Sequence, residues 1–247
     1  MTNIIINKRF CGPKNSANGG YAAGVFAQTI DGPAVVTLKS PPPLDTPVDL
    51  RKTEQGYDAV YNETLVASIA PGAVSINPPL MPDDEGIAAA HDVFLSDADN
   101  VHLIPYCFVC GDRRAPGDGL RIFSGPAPDS TVNADFWTPA ADLADGEGLV
   151  RPEFLWAALD CPSAFALRSW PVLTLLGRFA VDIRRRPAPG EKLIVAAWPE
   201  GKEGRKYFSS SALYDEDREL IAAANAVWVA LAEDSPLLAQ LKADRVG

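Results

Sequence analysis

The sequence is poor in the side chains on which much enzyme chemistry depends. Its 247 residues include only two histidines, four cysteines and two methionines. Both histidines, His91 and His102, lie in a Pro- and Asp-containing stretch in the middle of the chain. The partners of a cysteine–histidine nucleophile must be held together by the folded core. Because both histidines lie in this linker stretch, we do not expect either to pair with Cys161.

The chain also lacks an excess of positive charge and any long apolar run. Its formal net charge of −10 excludes a phosphate backbone as the main partner, so we expect no nucleic-acid binding. The longest apolar runs are too short to span a bilayer, and Ile4–Ile6 is too short for a signal-peptide core. We therefore expect a cytoplasmic protein with no membrane partner. Only Cys107 and Cys110 are closely spaced, which does not resemble a secreted disulfide framework and favours reduced thiols.

What the sequence does contain is a substantial apolar fraction, arranged in two similar halves. Hydrophobic residues make up 47% of the chain, enough for sizeable cores. Each half predicts a strand, a loop, a buried helix and then four antiparallel strands, with a Pro-rich corner between the first two of those four. This internal repeat predicts an N-terminal unit over residues 1–75, a linker with at most a short helix over 76–105, and a C-terminal unit over 106–247.

Short runs of β-branched and aromatic residues, bounded by Pro, Gly or Asn, predict the strands. In the first half these are Ile4–Phe10, Ala34–Lys39, Val48–Thr53, Tyr57–Tyr61 and Leu65–Ile69. In the second half they are Leu120–Phe123, Val132–Trp137, Arg178–Arg184, Leu193–Trp198, Tyr207–Tyr214 and Leu220–Leu231.

Two helices are predicted, and the second contains an acid in an apolar setting. The first spans Tyr21–Ile30 and is capped by Asn18. The second begins at Pro152, whose fixed φ suits a first helical position, and Glu153 adds negative charge at the positive end of the helix dipole. Asp160 follows six residues without a polar side chain. Pro162 should break or kink the helix beside it, so Asp160 is a candidate site residue.

Several motifs together resemble one known family. In the second half they are Cys107-Phe-Val-Cys-Gly111 with Gly119-Leu-Arg121, Ala157-Ala-Leu-Asp160, Arg185-Arg-Pro187 with Gly190-Glu191, and Ala222 to Trp228; in the first half they are Asn18-Gly-Gly20, Pro43 to Pro47 and Val66-Ala67. The chain resembles the hot-dog fold acyl-CoA thioesterase superfamily, in particular its phenylacetyl-CoA-type group. The resemblance implies an α+β protein of two tandem hot-dog units, each a curved antiparallel sheet wrapped around a central helix.

The resemblance also implies a site built across the two units. In that family a Gly-Gly pair opens one helix and a backbone N–H there holds the thioester oxygen. An Asp or Glu about two turns along the partner unit's helix attacks the carbonyl or activates water. Here the first helix keeps Gly19 and Gly20 but lacks the acid, and the second keeps Asp160 but opens with Pro152. The retained pieces are therefore expected to meet at one composite site between the units. The other site that two units of this kind could form, with the acid on the first helix and the glycines on the second, is expected to be lost.

Each of these residues also has an ordinary structural explanation. Gly19 and Gly20 could serve a tight turn, Gly24 fits close packing, and Asp160 could be a buried acid satisfied by local N–H groups or an arginine. Residues expected to bind substrate are Asn18, Phe154 and Trp156, with Arg185 and Arg186 facing the phosphates of coenzyme A. Phe154 and Trp156 could equally be core, and the arginines could be solvated surface charges.

The pair Cys107 and Cys110, with His102 before it, could form half of a metal site. A second pair of ligands is missing from the sequence, so no metal is expected. Coenzyme A enters only as part of the substrate, and no other cofactor is predicted.

The leading functional hypothesis is an acyl-CoA thioesterase with Gly19, Gly20 and Asp160 as catalytic groups. The shortage of histidine argues against a hot-dog dehydratase or hydratase. A non-catalytic protein that binds acyl-CoA or lipid is the alternative, and a dimeric structural partner is a third reading. Exposed sheet edges favour a homodimer.

Overall fold

A computed structural model describes residues 2–96, 104–167 and 173–246. In these ranges one antiparallel sheet contains eleven strands. The strands are β1 (Thr2–Ile5), β2 (Ala34–Leu38), β3 (Pro47–Lys52), β4 (Tyr57–Tyr61), β5 (Thr64–Pro71), β6 (Gly125–Pro126), β7 (Asn133–Trp137), β8 (Thr174–Ile183), β9 (Leu193–Glu203), β10 (Lys206–Tyr214) and β11 (Leu220–Ala230). The α-helices are α1 (Gly19–Ala27), α2 (Asp84–Ser96), α3 (Pro152–Phe165) and α4 (Pro236–Val246).

The strand order keeps the two halves of the chain on separate sides of the sheet. It runs β1-β3-β4-β5-β2-β8-β11-β10-β9-β7-β6. The strand that follows the helix in each half, β2 or β8, lies at the middle of the sheet. The two halves join there through antiparallel pairing that sets Val36 opposite Phe179, and both residues are fully buried. The large antiparallel sheet with few helices agrees with the predicted α+β class.

Helices α1 and α3 pack tightly against each other in the main core. The side-chain oxygen of Asn18 accepts the N–H of Tyr21 at 2.8 Å, so Asn18 caps α1 as predicted. A Cβ on Gly24 would lie 2.7 Å from the Cα of Glu153 and the Cβ of Trp156. Real Cβ atoms do not approach this closely, so Gly24 is required by the helix contact.

Helix α3 continues through Pro162, so the predicted break beside Asp160 is wrong. Pro162 cannot donate an N–H, but the helix extends to Phe165 and the N–H of Ala166 bonds to the carbonyl of Pro162 at 3.0 Å. Every residue from Glu153 to Ser163 is buried. Packing on all sides holds the helix in spite of the missing hydrogen bond, as tertiary contacts commonly do.

Helix α2 is longer than the short helix expected in the linker. Ile87, Ala90 and Phe94 are buried along one face, and α2 packs on β6 and β7. Ile87 joins a second core cluster with residues such as Ala134 and Trp198. The helix is stabilised because this apolar stripe has a partner surface on the sheet. None of the described helices combines the length and apolar character that crossing a bilayer requires.

The predicted strand Leu120–Phe123 is not formed. Its N–H groups bond elsewhere: Leu120 donates to the carbonyl of Phe108 at 2.8 Å and Ile122 donates to that of Val109 at 3.0 Å. Those acceptors belong to the Cys107–Cys110 loop, so this apolar run supports that loop instead of joining the sheet. His102, which the sequence placed near a possible metal site, lies outside the described residues.

Candidate active site between two helices

Asp160 on α3 lies against the first turn of α1. One carboxylate oxygen, Oδ2, accepts hydrogen bonds from the side-chain amide of Asn18 at 2.8 Å and from the N–H of Gly20 at 3.0 Å. The residue is only 2% exposed. The other oxygen, Oδ1, is buried and has no hydrogen-bond partner among the described residues. The structure thus brings together the acid and the helix start that lie about 140 positions apart in the sequence.

Gly20 is needed for this approach of the two helices. A Cβ at Gly20 would lie 2.4 Å from the Cβ of Asp160 and 2.8 Å from the carbonyl oxygen of Trp156. The N–H of Gly20 is also already bonded to the carboxylate. Gly20 therefore brings the helices close enough for Asp160 to reach the first turn of α1.

Gly19 presents the remaining N–H of the helix start. In the first turn, the N–H of Gly20 donates to Asp160 and the N–H of Tyr21 donates to the Asn18 side chain. The N–H of Ala22 donates to the carbonyl of Asn18. The N–H of Gly19 has no acceptor among the described residues, and Gly19 borders the large cavity beside Asp160. Such an N–H at a helix start is positively polarised and can bind an oxygen that gains negative charge.

Burial changes the acidity of Asp160. Desolvation raises the pKa of its carboxyl to about 7, whereas the hydrogen bonds from Gly20 and Asn18 favour the ionised form and oppose this rise. The nearby thiol of Cys107 raises the pKa further when it is ionised. Asp160 is therefore balanced between its neutral and charged forms near neutrality, a property typical of acids and bases in active sites.

A cavity of about 920 Å³ opens beside this acid. Asn18, Gly19 and Asp160 contribute to one side of it. The rest of the wall is largely apolar and comes from β2, β8, β11, α3 and α4, including Leu38, Leu175, Leu176, Trp228, Leu237 and Leu241. This volume falls in the range of cavities that bury a whole small ligand.

The aromatic residues Phe154 and Trp156, predicted as substrate contacts or core, lie in the core. Phe154 packs against Phe10 and Tyr21, with ring centroids 5.9 and 5.5 Å away. Trp156 meets Phe179 edge to face at 5.7 Å. Neither residue borders the cavity beside Asp160.

The two arginines expected to bind substrate do not border the cavity. Arg185 bonds to the carboxylates of Glu191 and Asp215, each at 2.9 Å. Arg186 bonds to the carboxylate of Asp145 and donates from Nε to the carbonyl of Val150 at 2.9 Å. Both guanidinium groups therefore stabilise the loops around the Pro-rich corner. The cationic residues that do border the cavity, among those described, are Lys14 and Lys39.

Three cysteines meet at the wall of the same cavity. The sulfur atoms of Cys107, Cys110 and Cys161 all lie within 4.8 Å of one another, and no disulfide joins them. The pair in the loop was visible in the sequence, but the third member follows 51 positions after Cys110 on α3. No sequence spacing indicates such a contact, so only the fold reveals the cluster.

Comparison with known proteins supports the fold alone. No protein-family model matches the sequence, and no curated protein is significantly similar to it. Among solved structures, a candidate thioesterase from Novosphingobium aromaticivorans superposes with a TM-score of 0.59 at 12% identity, covering 93% of this chain and 95% of that one. The chain has the hot-dog fold.

Two further hot-dog relatives extend over similar lengths. The TesB protein of Mycobacterium avium subs. paratuberculosis matches with a TM-score of 0.55 at 12% identity, over 87% of this chain and 88% of its own. A hot-dog protein of unknown function from Alicyclobacillus acidocaldarius matches with a TM-score of 0.54 at 12% identity, over 93% and 92%. The predicted resemblance to the hot-dog thioesterase fold is thereby confirmed. At this identity the comparisons carry no residue role.

Proposed function

We propose that the protein hydrolyses an acyl thioester at a single composite site between two tandem hot-dog units. The observation that carries this proposal is the position of Asp160, a buried carboxylate from α3 that contacts the N-terminus of α1 at the wall of a large apolar cavity. A carboxylate, a helix-start N–H and an apolar compartment are the groups that this reaction requires.

The two units have distinct roles in this scheme. The unit carrying α1 supplies the N–H of Gly19, which stabilises the negative charge that develops on the thioester oxygen. The unit carrying α3 supplies Asp160, whose carboxylate activates water or attacks the carbonyl carbon. Gly20 and Asn18 position that carboxylate through the hydrogen bonds at 3.0 and 2.8 Å. The cavity lined by leucines receives the acyl chain.

Coenzyme A is the proposed carrier of the acyl group. Lys14 and Lys39 are exposed and border the cavity, so they can meet phosphates at its mouth. They replace Arg185 and Arg186 in this role, because each of those guanidinium groups already binds carboxylates.

Thiol release from a panel of acyl-CoAs tests the proposal. Asp160→Asn keeps the side-chain shape but removes the base, so we expect the rate to fall by roughly 100-fold or more. Asp129→Asn is the matched control, because Asp129 is exposed and has a positive φ of 51° that asparagine tolerates. Equal rates for Asp160→Asn and the unaltered protein would remove Asp160 from the mechanism.

A second candidate function is acyl-CoA or lipid binding without turnover. It is favoured by the direct bond between Gly20 and Asp160, because a donor held by the protein's own carboxylate cannot bind a thioester oxygen. Calorimetry distinguishes the two functions. Saturable binding of an acyl-CoA that the protein never hydrolyses, with the same affinity in Asp160→Asn, would support the binding function.

A further inference from the structure

The cysteine cluster has the composition of a metal site. Cys107 and Cys110 come from one loop and Cys161 comes from α3, and all three are at least nine-tenths buried. Their sulfur atoms converge within 4.8 Å. Thiolates are the preferred ligands of zinc at structural sites, and three protein ligands with one open position are typical of zinc sites that face a cavity.

The distance between sulfur atoms fits a tetrahedral ion. The Sγ atoms of Cys107 and Cys161 are 3.7 Å apart. In a tetrahedron with zinc–sulfur bonds of about 2.3 Å, neighbouring sulfurs lie about 3.8 Å apart. A disulfide would require these atoms to approach to about 2 Å. The observed separation of this pair, one sulfur from the loop and one from α3, therefore suits coordination.

The loop that carries two of the ligands is held rigidly. The N–H of Gly111 bonds to the carbonyl of Cys107 at 2.9 Å, and a Cβ at Gly111 would lie 2.5 Å from that same oxygen. Only glycine allows this tight turn, which directs both thiols to one side. The N–H of Phe108 donates to the carbonyl of Cys11 at 2.8 Å, which ties the loop to the first half of the chain.

A hydrogen-bond donor lies beside two of the sulfur atoms. The amide of Asn18 lies 3.7 Å from the sulfurs of both Cys107 and Cys161. Donors of this kind stabilise the negative charge of metal-bound thiolates and orient them, as the groups around a metal's direct ligands usually do.

We propose that Cys107, Cys110 and Cys161 together bind one zinc ion whose fourth position opens to the cavity. The three thiols lose their protons to solvent as the ion binds. The ion links the loop of residues 107–110 to α3 beside Asp160. This assignment revises the expectation of no metal, which rested on the missing second pair of ligands. It is independent of the proposed thioesterase activity.

Metal analysis of the purified full chain tests the assignment. We expect one zinc ion per chain in the unaltered protein and less than a tenth of that in Cys107→Ser, Cys110→Ser or Cys161→Ser. Cys11→Ser is the matched control and should retain the metal. The Cys11 thiol contacts the carbonyl of Tyr106 and the Arg114 side chain and is not part of the cluster.

Cobalt substitution of the unaltered protein gives a second readout that does not depend on the folding of variants. Adding Co²⁺ to metal-free unaltered protein should produce the intense sulfur-to-cobalt absorption of a tetrahedral thiolate site, and zinc should displace it. Asn18→Ser should weaken cobalt affinity by roughly 10-fold, since its amide supports two of the sulfurs. A protein without zinc and without this absorption, or one whose mass shows a disulfide among the three cysteines, would overturn the proposal.

Discussion

The carboxylate of Asp160 and the backbone N–H of Gly20 form a 3.0 Å hydrogen bond that joins the two central helices. The bond links the halves of the chain at a buried position, and its acceptor Asp160 also lines the cavity. Packing and the candidate chemistry therefore depend on the same few atoms. Substitutions here should change both stability and activity, whereas matched substitutions elsewhere should change neither.

Replacing Gly20 by alanine should force the two helices apart. The added Cβ would sit 2.4 Å from the Cβ of Asp160 and 2.8 Å from the backbone oxygen of Trp156, and backbone cannot move aside cheaply. We expect a loss of about 1–3 kcal/mol in the free energy of unfolding, the usual cost of overpacking a core. Urea unfolding measures it. Gly146→Ala is the control, because nothing lies within 4 Å of its Cβ position. Equal stability of the two variants would contradict the close helix contact.

The protein should tolerate the substitution Asn18→Ser better than Asn18→Asp. Its Oδ1 caps α1 by accepting the N–H of Tyr21, while its Nδ2 donates to Asp160. Serine keeps a capping oxygen and loses the amide, so we expect a cost of about 1–3 kcal/mol for the buried acceptor left without that donor. Aspartate also caps, but it places a second carboxylate beside Asp160 and should destabilise the protein further. Unfolding free energies of the two variants, measured at neutral pH, give the ranking. A more stable aspartate variant would contradict the assignment of the amide nitrogen to Asp160.

Local signals in the sequence predicted much of the sheet. Strand β4 has the predicted bounds, Tyr57–Tyr61, because turn residues flank it: Gly56 and Asn62 both have positive φ. The capping of α1 by Asn18 was also predictable, since an N-cap depends only on its neighbours in the chain. By contrast, Leu120–Phe123 has strand composition, but its backbone groups bond to a distant loop.

The remaining features depend on contacts between distant segments. The partners of Arg185 and Arg186 are acids up to 41 positions away in the chain. Because of these ion pairs, the two side chains stabilise loops. Cys161 joins Cys107 only because α3 packs beside the loop. The pairing of Asp160 with the start of α1 was inferred through the family resemblance. No periodicity or spacing within this chain indicates it.

Lys14 and Lys39 should affect substrates that carry the coenzyme A nucleotide. Replacing both by glutamine removes the positive charges at the cavity border. We expect KM for an acyl-CoA to rise by roughly 10-fold, while KM for the matching acyl-pantetheine, which lacks those phosphates, stays unchanged. Arg185→Gln should leave both values unchanged, since this arginine already pairs with Glu191 and Asp215. An increase in KM for Arg185→Gln alone would restore the original sequence prediction.

His91 should make the attachment of α2 to the sheet sensitive to pH. Its Nδ1 lies 2.8 Å from the buried carboxylate of Asp135, and this hydrogen bond raises the pKa of His91 above its ordinary 6.5. Burial opposes the rise, Asp92 adds to it and Arg121 reduces it. Because the folded pKa exceeds the unfolded one, the charged pair stabilises the protein fully below pH 6.5. Its contribution is lost as pH rises through the folded pKa.

The substitution His91→Gln isolates the charge in this contact, because glutamine can still donate a hydrogen bond to Asp135 but does not titrate. Urea unfolding of both proteins across this pH range measures the difference between their free energies of unfolding. We expect the free energy of unfolding of the unaltered protein to exceed that of His91→Gln by the largest amount below the unfolded pKa of histidine. This difference should shrink as the pH rises. A difference that stays constant with pH would mean that the pKa of His91 is the same in the folded and the unfolded protein, which would contradict a stabilising ion pair with Asp135.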